Sequence, residues 1–320
     1  MNAISNLKPS QYCALMQESQ IDIGNDIKLH VEIGGIDHSN QNQETILLIM
    51  GLGAQMLIWP DYFCEALINE GYRVIRFDNR DIGLSSKIRH KGPRLNQLKL
   101  MGRFTLGLPN AGAPYTLYDM AEDASRLMDA LALEKAHVIG ASMGGMIAQI
   151  LAAKHPQKVQ TLNLLFTSNN RAFLPPPFPK QFLSLMGRPK SIDEQGMVAH
   201  SIKLFTNIGS PGHVDFEEAQ ETARKLYRRS FHPAGVMQHF LAVLCTGSLS
   251  QIDRQIKQPT MVVHGSKDRL LPPSHGRAVA KAIKHAKFEL IEGMGHDIPK
   301  YFVPQLVKLF TQNIKAQVKS

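Results

Sequence analysis

A short apolar segment, a glycine-rich turn and a helix of small residues follow one another in the middle of the chain. Residues 136–139 are Ala-His-Val-Ile, which is typical of a buried strand, and residues 145–154 have a helical composition. Between them stands Gly140-Ala-Ser-Met-Gly144. A sharp turn can expose a side-chain oxygen only where its neighbours lack bulky side chains. The order therefore predicts that Ser142 projects from a strand-to-helix turn.

This G-x-S-x-G pattern has two interpretations. In one, Ser142 is a nucleophile, and the following helix directs its N–H groups and the positive end of its dipole at developing negative charge. In the other, the glycines and the serine form an ordinary loop whose serine caps the helix. The pattern alone does not separate the two, so other parts of the chain must decide.

Apolar strands and helical patterns alternate through most of the chain. A predicted hairpin at residues 20–33 comes first, and residues 86–114 show no clear pattern. The alternation predicts an α/β fold with a mainly parallel sheet and helices on both faces. The strands predicted for the parallel part are residues 45–50, 72–77, 136–139, 159–166, 260–264 and 288–291.

One long interval breaks the alternation. No buried strand is evident from residue 168 to residue 258, where the patterns are helical. We therefore expect an N-terminal arm (1–18), an α/β core (19–167 and 259–320), and a helical lid (168–258) inserted between two core strands. Active sites in open α/β sheets lie at the carboxyl ends of the strands, where a lid would exclude water and shape a pocket.

An acid and a histidine follow the last two predicted strands. Serine is a poor nucleophile until a base takes its proton, and the base needs an acceptor that fixes its tautomer. Asp268 stands in the loop after the strand at 260–264, and His296 follows the strand at 288–291. The order serine, acid, histidine is the one found on α/β sheets of this kind. It predicts a catalytic triad of Ser142, Asp268 and His296.

Each member of this triad has a simpler interpretation when it is taken alone. Asp268 could cap a turn, and His296 is one of 13 histidines. Asp297 is a rival acid, but adjacent side chains rarely orient each other, so we assign it a structural role. Residues 167–170, which follow the strand at 159–166, contain no carboxylate. The combination of order and position favours the triad.

Two backbone N–H groups are expected to stabilise an oxyanion. Met143 follows the proposed nucleophile and supplies one of them. The other is expected from the loop after the strand at 45–50, and Leu52 is the candidate there. The alternative is that Gly51 and Gly53 only form a turn.

The charge of the chain does not indicate nucleic-acid binding. The net charge of +9 comes from 36 Lys and Arg against 27 Asp and Glu, and the basic residues are dispersed without interleaved aromatic residues. Weak attraction for anionic substrates or surfaces is compatible with this charge.

Cysteine usage and hydropathy point to a cytoplasmic protein. Cys13, Cys64 and Cys245 are far apart and odd in number, so neither a disulfide framework nor a zinc site is indicated. The N-terminus lacks the apolar core of a signal peptide, and no apolar run approaches 18 residues, so no stable membrane insertion is expected. No metal or organic cofactor is expected, and the sequence does not define an oligomeric state.

Three motifs resemble the α/β-hydrolase superfamily and, within it, the aclacinomycin methylesterase-like group. They are Met50-Gly-Leu-Gly-Ala-Gln55 with Trp59, Phe77-Asp-Asn-Arg-Asp-Ile-Gly-Leu-Ser85, and Gly140-Ala-Ser-Met-Gly144. The resemblance extends from about residue 20 to the C-terminus without the divergent lid, and it implies the same triad.

The chain departs from the superfamily pattern at two places. Many members have His-Gly where this chain has Met50-Gly51, a change that leaves backbone donation intact. They have Arg-Gly where it has Arg80-Asp81. We expect Asp81 to pack or pair locally, with Arg80 as a candidate partner.

These observations predict a serine hydrolase that cleaves a small-molecule carboxylic ester through an acyl-enzyme on Ser142. A lactonase, an acyltransferase, a C–C hydrolase or a peptidase could use the same triad. A non-catalytic ligand receptor that retains the pocket is the alternative from another class, because fold does not settle function.

Overall fold

A nine-stranded sheet lies at the centre of the protein, in a computed structural model that describes residues 7–40, 42–89 and 96–316. Its parallel part contains every strand that the sequence predicts there. The strands are β1 (Lys8–Pro9), β2 (Met16–Asp22), β3 (Lys28–Gly34), β4 (Thr45–Ile49), β5 (Arg73–Phe77), β6 (Ala136–Ala141), β7 (Val159–Leu165), β8 (Thr260–Gly265) and β9 (Lys287–Ile291).

The order of the strands creates a crevice at one edge of the sheet. The order is β1-β2-β3-β5-β4-β6-β7-β8-β9, parallel from β5 onward and antiparallel from β1 to β5. The chain moves from β4 to β5 on one side and then returns to β6 on the other. Ligands of open α/β sheets bind at such a reversal, outside the carboxyl ends of the strands.

Helices cover both faces of this sheet, which confirms the predicted fold class. Two apolar clusters lie between the helices and the sheet, one on each face. The helices are α1 (Asp61–Asn69), α2 (Gln97–Thr105), α3 (Leu117–Ala130), α4 (Met143–Lys154), α5 (Pro179–Met186), α6 (Glu194–Ile208), α7 (Phe216–Arg229), α8 (Pro233–Thr246), α9 (Ser250–Asp253), α10 (Ser274–Ala282) and α11 (Val303–Ala316).

Strand β4 shows why the central strands are mainly apolar. Leu47 and Ile49 belong to the cluster that includes α3 and α4, whereas Ile46 and Leu48 belong to the cluster that includes α1 and α11. Successive side chains of a strand point to opposite faces, so a strand covered on both faces favours apolar residues at consecutive positions. The loops after these strands are thereby held on a rigid support.

The structure differs from the sequence expectation at two places. In the predicted arm, Lys8–Pro9 pairs with β2, which itself begins at Met16, so the described part of the arm extends the sheet. Residues 1–6 of the arm lie outside the described residues. Helix α2 occupies part of the unpatterned interval 86–114. Its Leu100 and Phe104 pack against α8.

Helices α5–α9 are inserted between β7 and β8, and buried polar contacts attach them to the core. The Arg229 guanidinium at the end of α7 donates to Asp78 and to Gln55, each at 2.7 Å. Arg229 and Asp78 are both buried. None of the helices in the described ranges is long and apolar enough to cross a bilayer.

Candidate active site

Ser142 lies on a strained turn between β6 and α4. Its φ of 55° and ψ of −123° lie in a region that non-glycine residues rarely adopt. The turn also brings backbones very close together. A Cβ at Gly140 would lie 2.5 Å from the Gly144 carbonyl oxygen, and a Cβ at Gly144 would lie 2.0 Å from the Ile49 carbonyl oxygen. The two glycines are therefore required for this packing.

Helix α4 starts at this turn and directs its first N–H groups toward the serine. Met143 is the first residue of the helix, so its N–H has no partner within the helix. The Ser142 carbonyl accepts hydrogen bonds from Gly145 N–H at 2.9 Å and from the Thr167 hydroxyl at 2.6 Å. These bonds hold the turn against β7, and they leave the Met143 N–H available beside the Ser142 hydroxyl.

The structure brings Ser142, His296 and Asp268 into hydrogen-bonding contact. His296 Nε2 lies 3.0 Å from Ser142 Oγ, and His296 Nδ1 lies 2.7 Å from Asp268 Oδ2. With a proton on Nδ1 that is donated to Asp268, Nε2 is free to accept the serine proton. The three residues come from loops after β6, β8 and β9, which meet at the carboxyl edge of the sheet. Their arrangement permits proton transfer from the hydroxyl to the ring.

Asp268 is buried, and its carboxylate is fully engaged. Oδ1 accepts the N–H groups of Leu270 and Leu271, both at 2.9 Å, and Oδ2 lies 3.3 Å from His264 Nε2. Burial by itself raises the pKa of this carboxyl, but the contacts with His296 and His264 outweigh burial and hold the pKa below its usual value. Asp268 therefore stays ionised and can stabilise a cationic His296.

Phe166 and the segment 208–210 hold the loop that carries His296. The Phe166 ring packs on the imidazole with centroids 4.4 Å apart, and the His296 N–H donates to the Ile208 carbonyl at 2.8 Å. The Asp297 carboxylate accepts the Ser210 N–H at 2.9 Å and the Ser210 hydroxyl at 2.5 Å. Asp297 thus connects the histidine loop to the end of α6, and it does not contact the imidazole.

The loop after β4 approaches the serine at Gly51. A Cβ at Gly51 would lie 3.0 Å from the Ser142 Cβ, so the absence of a side chain lets this loop pass beside the turn. Two residues on, the Gly53 N–H donates to His239 Nδ1 at 3.2 Å, while His239 Nε2 donates to the Arg80 carbonyl at 2.7 Å. Leu52 lies between these two anchored positions.

His239 is a buried residue of α8 that sequence reasoning did not single out. Burial lowers the pKa of its imidazole to about 4, and the hydrogen bond to the Arg80 carbonyl opposes that shift. The ring is therefore neutral near pH 7, and its Nδ1 can accept the Gly53 N–H. No sequence signal identifies this contact, because it joins residues 186 positions apart.

Asp81 does not pair with Arg80, the candidate partner named from the sequence. Arg80 donates to both carboxylate oxygens of Asp123, at 2.5 and 2.6 Å. Asp81 instead accepts the Tyr115 hydroxyl at 2.5 Å and the Ile88 N–H at 2.6 Å, with a φ of 69°. The two neighbouring side chains therefore have different partners, Asp123 on α3 for Arg80 and Tyr115 just before α3 for Asp81.

His264 is a second residue that sequence reasoning missed. Its Nε2 donates to the Leu271 carbonyl at 2.7 Å and lies beside Asp268. A histidine within an apolar buried strand, four residues before the candidate acid, is the signal that could have revealed it. Among the described residues, no group of three or more His, Cys, Asp or Glu side chains is arranged to hold a metal ion.

Comparison with known proteins places the chain in a family. Residues 44–300 match the family model described as alpha/beta hydrolase fold. A rhodomycin D methylesterase of Streptomyces peucetius is 27% identical over 275 residues, which are 79% of this chain and 85% of the relative. A poly(3-hydroxyalkanoate) depolymerase of Ectopseudomonas oleovorans is 30% identical over 253 residues, which are 78% of this chain and 77% of the relative.

A solved structure shares the fold at lower sequence identity. The enol-lactonase from Burkholderia xenovorans LB400 superposes with a TM-score of 0.66 at 20% identity, covering 94% of this chain and all (100%) of that one. The resemblance predicted from the sequence motifs, including the methylesterase-like group, is confirmed by the family model and the methylesterase relative. These matches support hydrolase activity, and the chain belongs to the α/β-hydrolase family.

Proposed function

We propose that this protein is a serine hydrolase that cleaves a small-molecule carboxylic ester. The observation that carries the proposal is the pair of hydrogen bonds that links Ser142 Oγ through His296 to Asp268, at 3.0 and 2.7 Å. A methylesterase relative that covers most of the chain supports an ester as the substrate class.

In the first half of the reaction, Ser142 Oγ attacks the ester carbonyl carbon. Its proton passes to His296 Nε2, and the carbonyl electron pair moves to the oxygen, which becomes an oxyanion. Asp268 remains ionised and stabilises the imidazolium. When the oxyanion collapses, the bond to the alcohol breaks and Nε2 gives its proton to the departing alkoxide, leaving an acyl group on Ser142.

In the second half, water replaces the alcohol. His296 Nε2 takes a proton from the water as its oxygen attacks the acyl carbon, and a second oxyanion forms. Its collapse breaks the bond to Ser142 Oγ, which recovers the proton from Nε2, and the carboxylic acid is released. Every proton is therefore returned, and no metal or organic cofactor takes part in these steps.

The N–H groups of Leu52 and Met143 are the proposed oxyanion donors. Met143 lies at the N-terminus of α4, where the helix dipole favours negative charge. Leu52 lies in the loop that passes Ser142 at Gly51 and is anchored at Gly53 by His239. Donors held in place before the reaction stabilise a developing charge without reorganisation.

Residues 168–258 are proposed to act as a lid. Helix α8 contacts the oxyanion loop through His239 and Val236, and the Ile208–Ser210 segment contacts the histidine loop. A lid that makes these contacts would exclude water from the acyl-enzyme and select the acyl group.

A fluorophosphonate probe tests the nucleophile. We expect the probe to label the wild-type protein and to fail on Ser142→Ala, since only an activated serine attacks phosphorus at a useful rate. Thermal unfolding of the variant serves as the control for folding. Equal labelling of both proteins would refute the assignment of Ser142.

A panel of p-nitrophenyl esters of graded chain length tests the reaction class. Turnover is expected for at least part of the panel, and it should be lost in His296→Ala. Labelling by the probe without turnover of any ester or lactone would instead favour a ligand receptor or a different bond as the target.

A further inference from the structure

Acidic residues are absent from two long parts of the chain. No Asp or Glu occurs from residue 82 to residue 118 or from residue 135 to residue 192, so all 27 acidic residues lie elsewhere. The first part contains α2, and the second contains α5 and the segment that precedes it. Lys and Arg occur in both parts. The surface that these residues form together therefore carries only positive charge from side chains of its own.

The two parts lie side by side in the folded protein. The Phe173 N–H donates to the Thr105 carbonyl at the end of α2, at 3.0 Å. Phe104 of α2 and Phe240 of α8 pack in the same small cluster, and Phe182 of α5 lies against Phe240 with ring centroids 6.5 Å apart. Helices α2 and α5 are thus both supported by α8, and residues 171–178 connect the two regions.

Both parts expose several large apolar side chains. Leu98 is 87% exposed, Phe173 76% and Leu183 67%, and Met101 and Phe178 are also exposed. Lys99, Arg171 and Lys180 are exposed beside them in the sequence. We call the exposed side of α2 together with that of residues 171–183 the basic apolar face. Exposed apolar patches of this kind mark interaction sites, because leaving them in water is unfavourable.

We propose that the basic apolar face docks the protein on an anionic lipid surface. Leu98, Phe173 and Leu183 would enter the boundary between headgroups and acyl chains, which removes apolar area from water. Lys99, Arg171 and Lys180 would lie beside the lipid phosphates. Apolar insertion and attraction of basic residues act together in peripheral membrane binding. The docking requires no membrane-spanning helix.

The charge of this face is what favours a lipid surface over a protein partner. Interfaces between proteins are rimmed by polar groups of both signs, whereas an anionic bilayer presents one sign over a wide area. Two other exposed apolar residues of the inserted segment, Ile192 and Phe216, have acidic neighbours. Ile192 precedes Asp193 and Glu194, and Phe216 stands between Asp215 and Glu217. The surroundings of those two residues contain acidic side chains, so they serve as controls for the basic apolar face.

The face is joined to the loop of the proposed catalytic acid. The Phe178 N–H donates to the Arg269 carbonyl at 3.0 Å, and the Arg269 guanidinium lies over the Phe178 ring. Arg269 directly follows Asp268. A surface docked through this face would therefore lie next to the loops that surround Ser142, although docking itself uses none of the catalytic groups.

Co-sedimentation with lipid vesicles tests the proposal on the full chain. One set of vesicles contains phosphatidylcholine alone, and the other contains phosphatidylcholine mixed with phosphatidylglycerol. We expect binding to the mixed vesicles to be at least about tenfold tighter at low salt, and to weaken as salt is added. Ser142→Ala should bind equally, so a failure of the catalytic proposal would not alter this result.

Two triple variants divide the face into its charges and its apolar side chains. One is Lys99→Gln, Arg171→Gln and Lys180→Gln, and the other is Leu98→Ser, Phe173→Ser and Leu183→Ser. The first should reduce vesicle binding by about tenfold or more, because each basic residue near an anionic surface raises binding by about fivefold. The second should reduce it by about tenfold or more because it removes the apolar side chains that would enter the bilayer. The altered side chains are exposed, so unfolding midpoints should not change.

The double variant Ile192→Ser, Phe216→Ser is the control. It removes two exposed apolar side chains from acidic surroundings and should bind vesicles like the wild-type protein. The proposal is overturned if the wild-type protein does not bind anionic vesicles. It is also overturned if the two triple variants bind these vesicles as tightly as the control variant does. A face that instead mediates self-association, detected by light scattering and lost in the Ser triple variant without any vesicle binding, would also overturn it.

Discussion

At the scale of single residues, His239 links the inserted helices most directly to the proposed oxyanion loop. Its neutral ring accepts the Gly53 N–H through Nδ1 and donates to the Arg80 carbonyl through Nε2. Gly53 is next to Leu52, whose N–H is a proposed oxyanion donor. His239 is therefore a positioning residue, because it would act on the reaction through the loop that it holds.

We expect His239→Ala to lower kcat for a p-nitrophenyl ester by about tenfold with little change in KM, since loss of a well-placed oxyanion donor costs more than this. The His239→Asn variant should recover part of kcat, because its side-chain oxygen can accept the Gly53 N–H where Nδ1 did. Steady-state kinetics of the three proteins measure this. Equal losses in both variants, or a change in KM alone, would contradict a positioning role.

Asp253 provides a prediction about pH and stability. Burial raises the pKa of its carboxyl to about 7 from an ordinary value of 3.8, and the hydrogen bond from the Asn169 amide opposes burial. Between these two pH values the folded protein holds a proton that the unfolded chain has released. The free energy of unfolding therefore falls as pH rises through this window, and the loss is complete above pH about 7.

Asp253→Asn should remove that loss, because an amide has no proton to release. We expect the variant to be more stable than the wild-type protein above neutral pH by about 4 kcal/mol, because each unit of pKa shift is worth about 1.4 kcal/mol. Below the ordinary pKa of 3.8 the two proteins should have similar stability. Urea unfolding across the pH range measures the difference. If the unfolding free energies of the two proteins changed with pH in the same way, this carboxyl would not control the pH dependence of stability.

At the scale of elements, the strand–turn–helix formed by β6, the Ser142 turn and α4 depends on backbone contact. Gly144→Ala would place a methyl carbon 2.0 Å from the Ile49 carbonyl oxygen, in a position where only backbone could move. We expect a loss of about 3 kcal/mol or more in the free energy of unfolding, measured by urea denaturation, because well-packed backbone has no room to yield.

Gly102→Ala is the matched control for this substitution. Gly102 lies within α2, and a methyl carbon added there would meet no atom of the described residues within 4 Å. Alanine costs less entropy than glycine in a helix, so a gain of about 0.5–1 kcal/mol is expected. If the two variants had the same stability, close backbone packing would not explain the glycines of the turn.

The elements that sequence patterns predicted well are those whose environment is uniform along their length. Strand β4 is buried at every position and apolar from Ile46 to Ile49 because both of its faces are covered, and α3 shows an apolar side at spacings of three and four. Helix α2 was missed because it is short, at nine residues, and lies in an interval rich in Gly and Pro, which favour loops.

At the scale of the whole molecule, Arg229 joins the inserted helices to the core. Its guanidinium binds Asp78, and that carboxylate also accepts the backbone N–H groups of Met56 and Leu84 at 2.8 and 2.9 Å. One buried carboxylate therefore organises the segment after the oxyanion loop, the loop after β5 and the end of α7. The core and the inserted helices are expected to unfold together.

We expect Arg229→Met to lower the free energy of unfolding by about 3–5 kcal/mol, because it leaves the Asp78 charge buried without its partner. Arg228→Met is the neighbouring control. Arg228 pairs with Glu194 at the surface, where the side chain is 69% exposed, so its loss should barely move the midpoint. Thermal unfolding of both variants measures the contrast. Equal midpoints would mean that the buried pair does not hold the two parts together.

The sequence by itself determined the alternation of strands and helices, the family motifs, and the residues that could form a triad. These follow from local rules: period two or period 3.6 in hydropathy, glycine where a turn demands it, and polar residues just after apolar strands. Ser142, Asp268 and His296 could be proposed without coordinates because each stands immediately after a strand that can be recognised on its own.

Only the tertiary structure decided which distant side chains meet. Asp81 accepts from Tyr115 while Arg80 pairs with Asp123, His239 reaches Gly53, and residues 171–178 lie against the end of α2. Such contacts depend on how helices pack on one another and on the sheet, and packing is set by the whole set of buried side chains. No local pattern contains that information, because the partners are separated by tens to hundreds of residues.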